Sequence, residues 1–416
     1  MQNAVPEENR GAEDGIAPIA VAISESREPT PALEDIKTRH GLRRLHYIDG
    51  LRAFAAVWVI LFHGWQPDNP LARVPVAGFF FRFITQGQLP VLIFLVLSGF
   101  CLYYPLVLKD PLLPAMKMSY LAFIGRRARR ILPPFYAALA LCVLLIAAIP
   151  LMSRFADTEA WREALPINGH AILTHLLMIH NLSSLDWKKI DYPAWTIGLE
   201  WQLYLFFPLF VWLFRVRKAG FTLTLALLVT VATRIVSKKL HGPLGFALDW
   251  GPLNYCLVFV VGMYAAQCTV RGISPRLPRW GLRLACLGAF GFVFYRGLHG
   301  TGLETGAFFF IPLGMICLLI LAAEPNSLVH RLFSAPWLVT VGVFSYSVYL
   351  LHAPFLHLFL TFIGPLPLNP FWRYAVVCFG ITPAIVALSY LFFLVFERPF
   401  IGAPRKKAPA LSAPQS

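Results

Sequence analysis

Ten apolar runs of about membrane-crossing length constrain this chain more than any other feature. They occupy 47–65, 88–107, 131–150, 195–214, 219–236, 252–270, 282–298, 303–323, 339–363 and 374–396. About twenty apolar residues in an α-helix cross the hydrocarbon core. In lipid the backbone must satisfy its own hydrogen bonds, which leaves helices as the spanning element for runs of this length. The expected fold class is all-α, a polytopic transmembrane helical bundle. Composition agrees: 57% of residues are hydrophobic and 14% charged, against about a quarter charged in soluble chains.

Charge then sets topology. The chain carries 36 Lys+Arg against 21 Asp+Glu, a formal +15. Most of the basic residues sit in short loops between apolar runs, which argues against nucleic acid as a partner and leaves membrane lipids and a polyanionic cofactor. Lys37, Arg39, Arg43 and Arg44 lie before the first run, and Arg126–Arg130, Arg215/Arg217/Lys218, Arg271–Arg283 and Arg405/Lys406/Lys407 fall in alternate loops. That side is cytoplasmic by the positive-inside rule, and an even number of spans puts both termini there.

Three segments follow: 1–45, rich in Glu, Pro, Ala and Ser and expected to be a disordered cytoplasmic tail; 46–400, the membrane domain; and 401–416, a short cytoplasmic tail. No signal peptide is recognisable, so the first helix serves as the insertion signal. Residues 151–194 form a long outer loop with Trp161, His170, His175, His180, Asn181 and Trp187, suited to interfacial helices over a cavity mouth; Asn181-Leu182-Ser183 matches a glycosylation sequon. The seven cysteines are scattered without C-x-x-C spacing, so neither disulfides nor a metal site is expected.

The first run reads YIDGLRAFAAVWVILFHGW. Arg52 and His63 are eleven residues apart, on a helix about 16 Å of rise and within about 20° of three full turns, so both lie on one face at different depths. Asp49 is one turn before Arg52 and can pair with it. Ionisable groups inside a span are costly and mark function by default, although both could instead anchor the helix at the two interfaces.

These residues open a longer likeness. YIDGLRAFAAVWVILFHG resembles the start of the membrane-bound acyltransferase-3 family, with its basic residue, ten intervening positions and histidine. FLVLSGFCL (94–102), RRARRILPPFY (126–136), AWTIGLEWQLYLFFPL (194–209), FSYSVYLLHAPF (344–355) and FERPF (396–400) resemble further family segments in the same order. Two departures stand out: Thr196 where serine is commoner and Trp201 where a second acid is common.

The resemblance implies transfer of an acyl group, often acetyl, from a cytoplasmic acyl-CoA to a hydroxyl of a glycan or related acceptor. His63 then takes the hydroxyl proton, with an acyl-histidine as the competing mechanism. Glu200 occupies the family's glutamate position and could orient His63 or bind the acceptor, or act as an interfacial acid at a helix N-terminus. Arg126, Arg127, Arg129 and Arg130 form two overlapping R-x-x-R pairs suited, with Arg52, to coenzyme A phosphates; a plain topology signal is the alternative. Ser98-Gly99 would let a thin pantetheine arm approach the backbone, or serve tight helix packing. Trp195 opens the fourth span at the outer interface, and Tyr349 and His352, one turn apart, fit a substrate contact or a structural one within the bundle. No metal is implied. No hydrolase-like domain follows the last span, so a partner protein could complete delivery to the acceptor. The rival classes are a transporter or flippase of a glycan or lipid-linked intermediate, and a sensor or assembly protein without catalysis.

Overall fold

The computed structural model describes residues 45–65, 84–148, 164–271, 278–298, 303–363 and 366–401. These are all-helical, with no strand among the described residues. The expected disordered tail, most of 401–416 and the first part of the outer loop lie outside them.

Helix α1 is His46–His63, α2 Gln88–Lys109 and α3 Tyr120–Ala148. The outer loop contributes a short helix, α4 (Gly169–Leu176), capped by the Asn168 side chain on the Ala171 amide, and single turns at His180–Leu182 and Tyr192–Ala194. Then come α5 (Trp195–Lys239), α6 (Pro243–Trp250), α7 (Pro252–Arg271), α8 (Arg279–Leu298) and α9 (Leu303–Ala322). The chain ends in α10 (Leu328–Phe333), α11 (Pro336–Val343), α12 (Ser345–Ile363), α13 (Pro370–Val376) and α14 (Thr382–Phe392), with π-helical turns at Val377–Ile381 and Phe393–Glu397.

Among the described residues, six helical stretches are long and apolar enough to cross a membrane: Gln88–Lys109, Tyr120–Ala148, Tyr192–Lys239, Pro243–Arg271, Ser345–Ile363 and Pro370–Phe400. Seven of the ten expected spans fall in these. The runs at 47–65, 282–298 and 303–323 do not, because α1 carries Asp49 and Arg52, α8 carries Arg279, Arg283 and Arg296, and Gly306–Ala322 is short.

Several boundaries differ from the sequence reading. The third helix starts at Tyr120, not 131, since arginines are good helix formers and the RRARR segment continues the apolar run instead of preceding it. The expected 339–363 span is broken at Phe344 (φ −114°, ψ 23°) into α11 and α12. The fourth and fifth runs share α5, interrupted by Lys218 at φ 68°, ψ 164°. That is left-handed territory which a side chain enters only under strain.

Helix α7 is the hub of the bundle. It packs most extensively on α2, then on α5 and α9. Hydrophobic burial drives no association between helices already in lipid, so close backbone approach through small residues takes its place. Gly99 of α2 faces the Phe259 carbonyl and Gly262 of α7 faces the Val96 carbonyl, so the two glycines make reciprocal backbone contacts. Phe100, Tyr103, Phe135, Phe207 and Phe259 fill the core around this crossing. Leu144, Trp212, Leu228, Phe379 and Val395 are exposed on the outside of the bundle, the surface lipid would cover.

Candidate active site

Two cavities lie back to back in the bundle. The first, about 220 Å³, is lined by Arg52 of α1, Ser98 of α2, Arg127 and Arg130 of α3, Glu200 and Tyr204 of α5, Tyr346 of α12 and Glu397 of the last π-turn. The second, about 270 Å³, is lined by Phe62 and His63 of α1, Gln86 and Gln88 at the start of α2, Tyr192, Trp195, and Trp250 of α6. Val91 and Tyr349 line both and form their common wall. The eleven-residue spacing in α1 therefore puts Arg52 in one cavity and His63 in the next.

The first cavity gathers three guanidinium groups with two carboxylates. A helix places i and i+3 on one face, and this divides the arginine cluster: Arg127 and Arg130 are half-buried and line the cavity, whereas Arg126 and Arg129 are exposed. Glu200 accepts hydrogen bonds from the Ser98 and Tyr204 hydroxyls. It sits among the arginines, and no contact joins it to His63, so the expected orienting role is not what the structure draws. Glu397 accepts from the Ser347 amide at 3.2 Å and hydroxyl at 2.5 Å. Gly99 lines neither cavity; its α-carbon faces α7, the packing alternative.

In the second cavity the His63 ring centre lies 4.7 Å from Phe62, 5.9 Å from Tyr192 and 5.2 Å from His352. His352 is 1% exposed, and its Nδ1 contacts the Tyr349 carbonyl at 2.5 Å. The Tyr349 hydroxyl donates to the Pro193 carbonyl at 3.1 Å and accepts from Thr196 at 2.6 Å. A serine hydroxyl could make the same bond, so the departure at Thr196 preserves that contact. Trp195 packs edge-on against Trp250, their centres 4.7 Å apart, and Trp187 lies 4.6 Å from Trp250.

His175, His180, Asn181 and Asp191 of the outer loop form a buried layer. His175 and His180 stack at 4.0 Å and 9°. Burial lowers both their pKa values, that of His180 to about 3, and raises that of Asp191 to about 7. Asn181 is fully buried, donating to Gln202 and to the Trp250 carbonyl, so its sequon cannot carry a glycan in this fold. Sequence reasoning missed Glu397, Tyr204, Tyr346, Tyr192 and Trp250 as lining residues. Tyr204, Tyr346 and Glu397 lie in segments that carry the family likeness, and Glu397 had a second signal: an acid closing an apolar run, the kind of residue that marks function in lipid.

The family model described as "Acyltransferase domain" matches residues 45–390. The chain is similar to O-acetyltransferase OatA of Staphylococcus aureus, 23% identical over 345 residues, covering 78% of this chain and 53% of the relative. It is also similar to the putative peptidoglycan O-acetyltransferase YrhL of Bacillus subtilis, 26% identical over 391 residues, covering 87% and 56%, and to the peptidoglycan O-acetyltransferase OatA of Listeria monocytogenes, 25% identical over 384 residues, covering 85% and 56%. The chain thus spans little more than half the length of these relatives. No solved structure matches.

Proposed function

Because the chain belongs to the acyltransferase-3 family, we propose that it is a membrane O-acetyltransferase using a cytoplasmic acyl-CoA, with acetyl-CoA the first donor to test, and a glycan hydroxyl as acceptor. The observation that carries the reading is the pair of cavities sharing Val91 and Tyr349, one lined by three arginines and the other by His63. The names of the Bacillus and Listeria relatives supply the glycan class.

The first cavity's residues fit the donor. Arg127, Arg130 and Arg52 line it together, and guanidinium forks bind phosphate oxygens bidentately. The donor supplies the acyl thioester. The chain's own residues do the rest: the arginines fix the polyanion, Ser98 and Tyr204 hold Glu200 among them, and His63 waits beyond the wall. The acceptor oxygen bonds to the acyl carbon as its proton passes to the free nitrogen of His63. The carbon–sulfur bond breaks, and the proton leaves with the thiol.

In the proposed topology all ten helical runs cross, with both termini cytoplasmic and the 151–194 loop outside. The short, charged α1 and α8 cross because their polar residues face the bundle interior or reach the interface. An impermeant thiol reagent should then label a cysteine placed at the exposed Leu185 from outside and leave one at Arg129 unmodified; the reverse pattern would invert the chain.

The central test incubates purified protein with radiolabelled acetyl-CoA and a glycan acceptor. Transfer that requires His63 supports the reading. A carrier of glycan or lipid intermediates needs no thioester, and intact labelled donor after prolonged incubation would favour it.

A further inference from the structure

His352 belongs to the segment quoted for the family likeness, and the sequence alone left it between substrate contact and structure. Its position is more specific than either. It lies on α12, 1% exposed, and its Nδ1 meets the Tyr349 carbonyl at 2.5 Å. A carbonyl only accepts, so the neutral ring carries its proton on Nδ1. That leaves Nε2 bare, an acceptor, and it is buried with no hydrogen-bond partner. Buried polar atoms are nearly always paired, and one that is not calls for an explanation.

The ring next to it supplies one. His63 lies 5.2 Å away, centre to centre, with the planes 42° apart. A head-on N–H···N bond of about 2.9 Å between two imidazoles also spaces their centres by about 5 Å. The spacing therefore suits an N–H···N bond from His63 to the unpaired His352 Nε2 once the His63 ring turns towards it. The neighbouring Tyr349 hydroxyl is already committed to Pro193 and Thr196, so it does not compete for that atom.

We infer that His352 is a positioning residue for His63: its bare Nε2 accepts the His63 N–H and fixes the tautomer, so that the other His63 nitrogen faces the acceptor hydroxyl in the second cavity. The inference rests on the acetyltransferase reading for its catalytic meaning, but not for the hydrogen bond itself. The logic is that of a triad's third member, with a neutral ring in the place of a carboxylate. A neutral acceptor suits a site in lipid, where a buried charge is costly.

Two substitutions in the full chain separate this from plain packing. His352→Asn keeps an amide N–H for the Tyr349 carbonyl and loses the acceptor at the Nε2 position. His352→Gln reaches that position with an amide oxygen. The expected result for Asn is a fall in kcat of about tenfold or more with donor KM unchanged, and for Gln a partial recovery. Asn that keeps kcat within about twofold of wild type, or Gln no better than Asn, overturns the inference.

Nitrogen NMR of ¹⁵N-histidine-labelled protein gives an answer independent of turnover. The signals lost in His352→Asn should be those of an Nδ1-protonated ring, and the His63 signals, identified with His63→Gln, should shift in the Asn variant. An Nε2-protonated His352, or an unmoved His63, overturns the hydrogen bond even if the enzyme is active. If wild type transfers no acetyl group while both NMR signatures hold, the acetyltransferase reading fails and the histidine pair stands.

Discussion

Adding one methyl group at Gly99 tests both the architecture and the assignment of that residue. A Cβ there would stand 2.1 Å from the Phe259 carbonyl oxygen, and real Cβ atoms do not come closer than 3.0 Å. The obstacle is backbone on a neighbouring helix, so it cannot swing aside as a side chain would. Helices α2 and α7 must part by about 1 Å, loosening the most extensive helix contact in the bundle. Overpacking typically costs 1–3 kcal/mol, and the rigid obstacle places Gly99→Ala near the upper end, at about 3 kcal/mol. Gly262→Ala meets the Val96 carbonyl at 2.0 Å across the same crossing. One separation relieves both clashes, so the double variant should cost at least about 1 kcal/mol less than the sum of the singles. Gly125→Ala, with nothing within 4 Å, is the control and should gain about 0.5–1 kcal/mol from helix entropy. Tryptophan fluorescence during unfolding in mixed detergent reads all four. Donor KM of the folded fraction should stay at the wild-type value, because Gly99 does not line the cavity. The reasoning fails if Gly99→Ala is as stable as wild type, if the two singles add, or if stability holds while donor KM rises.

Three other outcomes are expected. Arg127→Gln and Arg130→Gln should raise donor KM more than they lower kcat, since phosphate contacts exist in the ground state too; Arg126→Gln and Arg129→Gln should leave saturation unchanged, and equal effects at all four positions would undo the inward–outward split. His63→Ala should lower transfer by about 10²–10⁴-fold while donor binding persists; recovery by His63→Gln would show that His63 positions rather than deprotonates, since an amide takes no proton near neutral pH. His180, held to about 3 by burial, stays neutral in the fold while the unfolded chain protonates below about 6.5, so stability falls with acid from there towards pH 3. Its share at pH 5 is about 2 kcal/mol; His175, stacked on it and also lowered, acts in the same sense and Asp191, raised to about 7, in the opposite one, and both remain in His180→Phe, so the difference between its pH curve of thermal unfolding and that of wild type reads His180 together with its effect on His175; parallel pH curves would refute it.

Much of the arrangement is legible in the sequence, for reasons specific to each feature. The Arg52–His63 spacing survives because helical rise and rotation are nearly constant, whatever surrounds α1. The R-x-x-R pairs were visible as pairs, but which of them points inward depends on how α3 is rotated against α2 and α5, a tertiary fact. The same holds for Gly99, whose two readings differ only in what faces its α-carbon. For Glu200 the sequence leaves open orienting His63, binding the acceptor or an acid at the interface; the structure places it a turn and a half into α5, on Ser98 and Tyr204. The start of α3 is not legible because a run of arginines marks a boundary in most spans, whereas half-buried arginines on a cavity-facing helix continue it. Asn181 matched a surface pattern that says nothing about burial.

The wall of Val91 and Tyr349 has a consequence for traffic. On the proposed function, the donor loads among the arginines and the acceptor beside His63, on opposite sides of Val91 and Tyr349. Neither must depart before the other arrives, and an acceptor-like inhibitor lodged beside His63 leaves the arginine-lined chamber free to load. Such an inhibitor should therefore depress the maximal rate without competing against the donor. On the same reading the spent thiol leaves from the arginine-lined side and the finished ester from the His63 side, so accumulation of one should not bar the exit of the other.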